Sequence, residues 1–340
     1  MSAIETQGAS SPSLAPPAIA RWYRRTEIIG LVILIAVTAW GIHKAYGDWS
    51  AVVDYWESKL PFLPLVLGLA IVDVACGAAG WSWVFERFGI RAFDGRGARV
   101  FLAGYAGLFL PAQLGRLIRP DAMVRLRRGG LGDCYKAEAA AFVLDATSVV
   151  VLLASLAAWR MLHPLLGIVT GVAMSVVCLF LGNQIAERLS DTKLVMPPGF
   201  WWSPKSFAVI LIQLVGWVAH GAAFYVLVLD LPGSAGLWDA LFFAPAAAVL
   251  GIGTGLPGGV GATEGFLGAF LSFSKVPQEH LALVISAFRV VTFWIWIPLG
   301  WLALAVTRRR SDRRSERIQA NEDEEALRNS KGVAADVEPS

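Results

Sequence analysis

Long apolar runs recur through most of this 340-residue chain. Six of them approach the roughly 20 residues that an α-helix needs to cross a hydrocarbon core of about 30 Å. Charged residues make up only 16% of the sequence, compared with about a quarter in soluble domains. We therefore expect an all-α integral membrane protein. The runs predict six full spans, at residues 27–45, 62–85, 138–160, 164–182, 207–229 and 281–306.

Two further apolar stretches do not read as ordinary spans. Residues 98–111 are too short to cross the bilayer, and residues 238–273 are interrupted by glycines and a proline. Basic residues in short loops are retained on the cytoplasmic side, and both flanks of 98–111 are strongly basic. This pattern predicts a re-entrant hairpin that enters from the cytoplasm. Residues 238–273 must then begin and end outside, either as a second re-entrant hairpin or as two short crossings.

The same bias in basic residues predicts where the two ends of the chain lie. Arginines precede the first apolar run and fill the segment 308–317, so we expect both termini in the cytoplasm. Residues 1–26 are expected to be a disordered leader, 27–306 the membrane domain and 307–340 a disordered tail. The first apolar run resembles a signal peptide, but its polar leader is long and no clear A-x-A site follows it, so a retained anchor is preferred.

The most specific pattern is a motif that occurs twice. Residues 107–115 (GLFLPAQLG) and 253–261 (GTGLPGGVG) share G-x-x-L-P-x-x-x-G, and the charge bias places them on opposite sides of the membrane. We therefore expect an inverted repeat with halves of about 27–160 and 164–306, built around two re-entrant or broken-helix segments.

Broken helices at membrane depth point to a cavity. Irregular backbone is tolerated there only where protein or a water-lined cavity surrounds it, and paired Gly/Pro-interrupted segments mark the binding sites of transporters. The alternative is that the glycines only allow close helix packing. We favour the cavity, and we predict that the following motif residues form part of its substrate-binding wall: Pro111, Gly115, Pro257, Gly258, Gly259 and Gly261.

Charged residues inside apolar runs are candidates for the same cavity, because they usually face an interior site or a partner. Arg289 can hold a phosphate through two hydrogen bonds, or it can form an ion pair with Asp145 or Glu264. Glu264 follows the second motif and can cap a half-helix or couple to substrate or protons. Asp145 is expected on the cavity wall or in a salt bridge, whereas Glu138, on the same helix face, is expected to be solvated.

Four other polar residues leave two interpretations open. Arg116 and Arg119 follow the first motif and either set the topology by reaching the membrane surface or contact lipid headgroups, and we favour headgroup contact. Asp73 and His220 are isolated in their helices, where each is either a buried hydrogen-bonding group or a proton carrier. We favour the first reading for this pair.

The sequence indicates no metal site and no cofactor. Its three cysteines have no CxxC spacing and its four histidines show no HExxH pattern. The basic residues lie beside apolar segments, where anionic lipid headgroups are the natural counterpart, so we expect a membrane lipid and not a nucleic acid as partner.

Three segments carry a resemblance to the lysylphosphatidylglycerol synthase transmembrane family, also called flippase-like. They are LPAQLGRLIRP (110–120), LPGGVGATEG (256–265) and FRVVTFWIWIPLG (288–300), and the similarity covers roughly residues 28–306. The resemblance implies a lipid-handling domain of the bacterial cytoplasmic (inner) membrane. Full-length synthases add a cytoplasmic aminoacyl-transfer domain, which these 340 residues do not show, so lysyl transfer by this chain alone is not expected. Arg116 stands where the family usually has an acidic residue, which makes the first hairpin more attractive to anionic headgroups.

These observations favour a lipid translocase that binds a polar, phosphate-bearing or anionic headgroup in a cavity between the two halves. The alternative is an accessory subunit that binds a lipid-biosynthesis enzyme through its tail. A membrane enzyme ranks third, because no nucleophile with an adjacent base can be found in the sequence.

Overall fold

A computed structural model describes residues 49–108, 110–188, 196–233 and 235–309 of the chain. The predicted leader (1–26), the predicted span 27–45 and the tail beyond residue 309 lie outside this part. Within it the chain is helical and has no β-strand, which confirms the all-α membrane class.

Five helices of the described residues are long and apolar enough to cross a membrane. They coincide with five of the six predicted spans, and they confirm a multi-pass membrane protein. These helices are Val53–Arg87, Leu131–Met161, Pro164–Arg188, Pro204–Val228 and His280–Arg309.

The first half contains a hairpin between two spans. After α1 (Trp49–Lys59) and α2 (Leu63–Arg87), the chain enters the hairpin through α3 (Gly95–Ala103) and a 3₁₀ turn, Gly104–Gly107. The backbone is extended at Leu110, with ψ 137°. It returns through a second 3₁₀ segment, Pro111–Leu117, and α4 (Ile118–Arg125) to the long helix α5 (Leu131–Met161).

This hairpin is longer than the apolar stretch 98–111 that predicts it. Its return limb continues to Arg125, although the hydropathy signal ends before it. The reason is that the limb carries Arg116 and Arg119, and a buried arginine lowers mean hydropathy in the same way as an exposed one.

Asp94 fixes the start of the hairpin. Its carboxylate accepts hydrogen bonds from the backbone N–H groups of Arg96 and Gly97, as an N-cap does. Both of its oxygens also accept from the Arg128 guanidinium, at 2.7 and 2.9 Å. The hydrogen bonds from Arg128, and to a smaller extent those from the backbone N–H groups, hold the pKa of Asp94 well below its usual range. The ion pair ties the two ends of the hairpin together.

The second half repeats this plan. After α6 (Pro164–Arg188) and α7 (Pro204–Val228), α8 (Leu237–Gly253) enters, a 3₁₀ turn forms at Pro257–Gly259, and α9 (Ala262–Phe273) returns. Helix α9 has 12 residues, or about 18 Å at 1.5 Å per residue, which is too short to cross a core of about 30 Å. Of the two alternatives for residues 238–273, the lengths favour a hairpin.

The last span is interrupted by a π-helical turn. Helix α10 (Gln278–Arg289) passes through Val290–Trp294, which is π-helical, into α11 (residues 296–309). Single π turns inside α-helices are frequent at functional sites. The turn begins directly after Arg289.

The two return limbs end in the same way. Arg127 (φ 52°) and Lys275 (φ 59°) are both left-handed residues without being glycine. In each case the next N–H bonds five residues back, from Arg128 to the Met123 carbonyl and from Val276 to the Leu271 carbonyl. This is the Schellman pattern of helix ends, so the two hairpins match in their closing turns as well as in their motifs.

Helices α2 and α7 pack along each other and carry a separate hydrophobic core at each end. One core joins the first part of α2 and the last part of α7 to the second hairpin and α10. The other joins the last part of α2 and the first part of α7 to the first hairpin and α5. Each hairpin is therefore anchored to an opposite end of the same antiparallel pair. Helix α6 contacts α5 and leaves most of its apolar side chains exposed.

Candidate functional site

The two hairpins meet in the interior of the helix bundle. The 3₁₀ segments Pro111–Leu117 and Pro257–Gly259 contact each other, and a cavity of about 220 Å³ lies beside them. Its wall is completed by side chains of α2, α5, α7 and α10. Backbone that departs from the α-helix in both halves therefore borders one space.

Glycine pairs hold the limbs of each hairpin together. A Cβ at Gly115 would lie 2.1 Å from the carbonyl oxygen of Gly107, so only a residue without a side chain fits there. In the second hairpin, a Cβ at Gly259 would lie 2.9 Å from Cα of Gly251. Gly259 also has φ +65°, a conformation that glycine adopts without strain. The limbs thus touch through backbone in both hairpins.

Two arginines of the first hairpin pair with two carboxylates of α5. Arg116 forms an ion pair with Asp145, and each side chain keeps about a fifth of its surface exposed (23% and 22%). Arg119 is more deeply buried (7%), with Nη1 3.4 Å from Oε1 of Glu138. Its Nε donates to the Phe101 carbonyl oxygen at 3.1 Å. Of the two guanidinium groups, Arg116 is the one that a molecule in the cavity can reach.

Glu138 is buried, so the expectation that it is solvated is wrong. Only 4% of the residue is exposed, and its Oε2 accepts a 2.7 Å hydrogen bond from the indole N–H of Trp81. The position of Glu138 near a predicted helix end suggested the interface. The hairpin packs over that end and supplies Arg119, which compensates the charge.

The corresponding ion pair of the second half has the opposite polarity. Here the hairpin supplies the carboxylate, Glu264, and the following span supplies the cation, Arg289, with Nε 2.7 Å from Oε1. Arg289 also donates from Nη2 to the Gly258 carbonyl oxygen at 2.9 Å. Its guanidinium lies 4.1 Å from the centre of the Phe293 ring. Glu264 accepts from the Gly261 N–H at 2.7 Å and so caps α9 as well. Of the two partners considered for Arg289, the structure selects Glu264.

A fourth polar pair joins the two halves directly. Nδ1 of His220 on α7 lies 3.0 Å from Oδ2 of Asp73 on α2. Both residues line the cavity. The two that seemed isolated in the sequence are each other's partners, because α2 and α7 pack together over this stretch.

The structure brings most of the predicted site residues to one wall, although their binding of a substrate stays a prediction. Those that line the cavity are Gly115, Arg116, Arg119, Asp145, Gly258, Gly259 and Arg289. Pro257, Gly261 and Glu264 are not among the lining residues. Pro257 and Gly261 are exposed, and Glu264 contacts the lining residue Arg289 through their ion pair. The side chain of Pro111 lies outside the described part of the chain.

Several lining residues were not selected from the sequence. Trp81, Tyr105, Gln213 and Thr263 all face the cavity. Tryptophan and tyrosine are common at membrane interfaces, so the sequence does not distinguish an interfacial Trp or Tyr from one that lines a cavity. Gln213 could have been selected from the sequence, because an uncharged polar side chain in the middle of a long apolar run needs a polar neighbour.

Comparison with known proteins identifies one family. The model of the lysylphosphatidylglycerol synthase TM region matches residues 28–300, which is most of the chain and includes both hairpins. No individual curated protein matches the sequence.

Proposed function

Because this chain belongs to the lysylphosphatidylglycerol synthase TM-region family, we propose that it moves a lipid across the bilayer by binding the headgroup in the cavity. The family ties the chain to membrane lipid metabolism or flipping. The proposal assigns the chain a transport role without chemical conversion of the lipid. The observation that carries it is the meeting of two inverted hairpins at a cavity lined by three arginines.

The arginines favour a headgroup that bears a phosphate. A guanidinium offers two parallel N–H groups to the oxygens of a phosphate. Arg116 is the most accessible of the three, and its partner Asp145 is exposed to the same degree. A phosphate that enters the cavity can therefore take the place of Asp145 on Arg116 without unfolding any helix.

The inverted halves supply a route for the headgroup. Each half has one hairpin anchored at one end of the α2–α7 pair, and rocking of opposite-facing halves around a shared site is the usual basis of alternating access. The acyl chains stay in the hydrocarbon region, because their transfer into the polar cavity would bring no gain in free energy. In this scheme only the polar headgroup passes between the hairpins.

The test is lipid movement in proteoliposomes that contain the purified chain. Fluorescently labelled phosphatidylglycerol, phosphatidylethanolamine and phosphatidylcholine are each followed by chemical quenching of the outer leaflet. We expect the protein to accelerate the transbilayer movement of at least one of them. If none of the three moves faster than in protein-free vesicles, the translocase proposal is wrong.

A double variant tests the role of Arg116. Arg116→Gln with Asp145→Asn removes both charges, so that neither is left unpaired. We expect about a tenfold loss of rate, since a hydrogen bond to a charged group contributes about 1.5 kcal/mol or more. The matched control is Arg127→Gln, which changes an exposed arginine in the turn after α4 and should keep the rate. An unchanged rate in the double variant contradicts phosphate binding at Arg116.

A further inference from the structure

The polar pair between α2 and α7 has a different composition from the other pairs of the cavity. Three arginines, Arg116, Arg119 and Arg289, each pair with a carboxylate. Asp73 is the one carboxylate on the described cavity wall whose partner is a histidine. An arginine is always charged, whereas a histidine is charged only after it binds a proton.

This difference fixes the charge balance of the site. The three guanidinium groups face four carboxylates, namely Asp73, Glu138, Asp145 and Glu264. With neutral His220 the set carries one excess negative charge, and with one more proton on the Asp73–His220 pair it is neutral. A phosphate-bearing headgroup is repelled in the first state and accepted more readily in the second.

The Asp73–His220 pair is partly exposed to the cavity and joins a helix of the first half to a helix of the second half. The His220 side chain is 11% exposed and that of Asp73 is 29% exposed, and both line the cavity. Their hydrogen bond crosses from α2 in the first half to α7 in the second. The two helices approach closely beside this hydrogen bond, since a Cβ at Gly216 of α7 would lie 3.1 Å from Cβ of Cys76 on α2.

The residues around the Asp73–His220 pair come from several of the elements that border the cavity. His220 makes edge contacts with the Trp217 ring on its own helix and the Phe288 ring of α10, at 5.5 and 5.1 Å. Cys76 of α2 and Tyr105 of the first hairpin interact electrostatically with Asp73. The other titratable or charged groups that share the cavity with the pair are Arg116 and Arg119 of the first hairpin, Asp145 of α5 and Arg289 of α10. The arginines among them are already paired with carboxylates, whereas the Asp73–His220 pair contains a group that gains a positive charge when it binds a proton.

We propose that the Asp73–His220 pair is a proton site whose occupancy is coupled to headgroup binding, so that a pH gradient can drive lipid movement. The inference rests on the proposed translocase function. Because coupling between two ligands is reciprocal, a bound anionic headgroup must increase the proton affinity of the pair by the same factor as the proton increases headgroup affinity.

The reciprocal effect can be measured without any transport. The full chain, labelled with ¹⁵N-histidine, is placed in nanodiscs of phosphatidylcholine alone or with phosphatidylglycerol, and its histidines are titrated by NMR. The sequence contains four: His43, His163, His220 and His280. His220→Gln assigns the signal, and His163, which is exposed at the end of α5, reports the general effect of a negative membrane surface.

We expect phosphatidylglycerol to move the titration midpoint of His220 upward by about one pH unit more than that of His163, a tenfold change in proton affinity. The extra shift should shrink in the Arg116→Gln/Asp145→Asn variant, whose headgroup binding is weakened while its net charge is unchanged. A His220 midpoint that moves no further than that of His163 overturns the proposal.

Proteoliposomes with an imposed pH gradient separate this proposal from the translocase function. The gradient should change the rate of lipid movement several-fold in the wild type and in His163→Gln, but not in His220→Gln. If lipid moves at a rate that ignores the gradient, the proton coupling is wrong and the translocase proposal stands. If the extra NMR shift is present and no lipid moves, headgroup and proton binding are linked and the translocase proposal is wrong.

Discussion

Arg116 and Arg119 lie three residues apart, yet their surroundings give them different tasks. Arg119 is enclosed between α3 and α5, and Cβ at Gly104 would lie only 2.3 Å from its Nε. It also stacks on Phe101, with 4.0 Å from the guanidinium carbon to the ring centre. Arg116 instead keeps an accessible face towards the cavity. Arg119 therefore holds the hairpin in place, and in the proposed function Arg116 is the arginine that exchanges its carboxylate partner for a headgroup.

Removal of Arg119 should destabilise the protein strongly. Arg119→Met leaves Glu138 as an uncompensated buried charge, which typically costs about 3–5 kcal/mol. We expect a clear fall in the unfolding temperature of the detergent-solubilised protein, followed by tryptophan fluorescence.

The control restores the balance of charge. Arg119→Met combined with Glu138→Gln keeps an acceptor for the Trp81 indole N–H and removes the unpaired charge, so most of the stability should return. A double variant as unstable as the single one would show that the loss comes from packing of the Arg119 side chain and not from charge.

Single residues also mark how far sequence reasoning reaches. The choice of Arg289, Glu264 and Asp145 follows from the cost of a charge in an apolar run, and all three form ion pairs. The partner of each charge does not follow, because it depends on which helices touch. Glu138 shows this limit, since its burial depends on a hairpin more than ten residues earlier in the chain.

At the scale of elements, the glycine pairs decide the shape of the hairpins. Gly115→Ala would bring a methyl group within 2.1 Å of the Gly107 carbonyl oxygen. We expect the limbs to separate at a cost of about 1–3 kcal/mol, the usual range for overpacking. The unfolding temperature and the rate of lipid movement should both fall.

Gly68→Ala is the matched control for this prediction. Gly68 lies inside α2 with open space around its added Cβ, and alanine favours the helix by up to about 1 kcal/mol. This variant should be as stable as the wild type or slightly more stable. Equal losses in both variants would argue against the close approach of the hairpin limbs.

The repeated motif predicts the two hairpins but not their full extent. The proline and the shared glycines locate each break in the helix, because these residues are the ones that leave helical geometry most easily. The pairing of Gly251 with Gly259 was not predicted, since it joins residues in a register that differs from that of Gly107 and Gly115. The π-helical turn after Arg289 also has no signature in the sequence.

At the scale of the whole molecule, the inverted arrangement can be tested by labelling. Arg127 and Lys275 occupy equivalent closing turns of the two hairpins and are both exposed. In a background without Cys76, Cys134 and Cys178, we expect Arg127→Cys to react with a membrane-impermeant maleimide only from the cytoplasmic side. Lys275→Cys should react only from the opposite side.

The two positions control for each other, because both replace a basic residue in a left-handed turn. Reaction of both cysteines from the same side would contradict the inverted repeat. The amino-acid pattern predicts opposite sides through the distribution of arginine and lysine. The structure adds that each hairpin is buried against a different end of the α2–α7 pair, which the pattern does not reveal.

The direct backbone contact between Gly107 and Gly115, and between Gly251 and Gly259, has a mechanical consequence. The two backbones approach so closely that neither position has room for a Cβ, so the backbones would have to separate before one could slide along the other. In the proposed transport cycle each hairpin therefore moves as one rigid unit, and the cavity opens where the two hairpins meet.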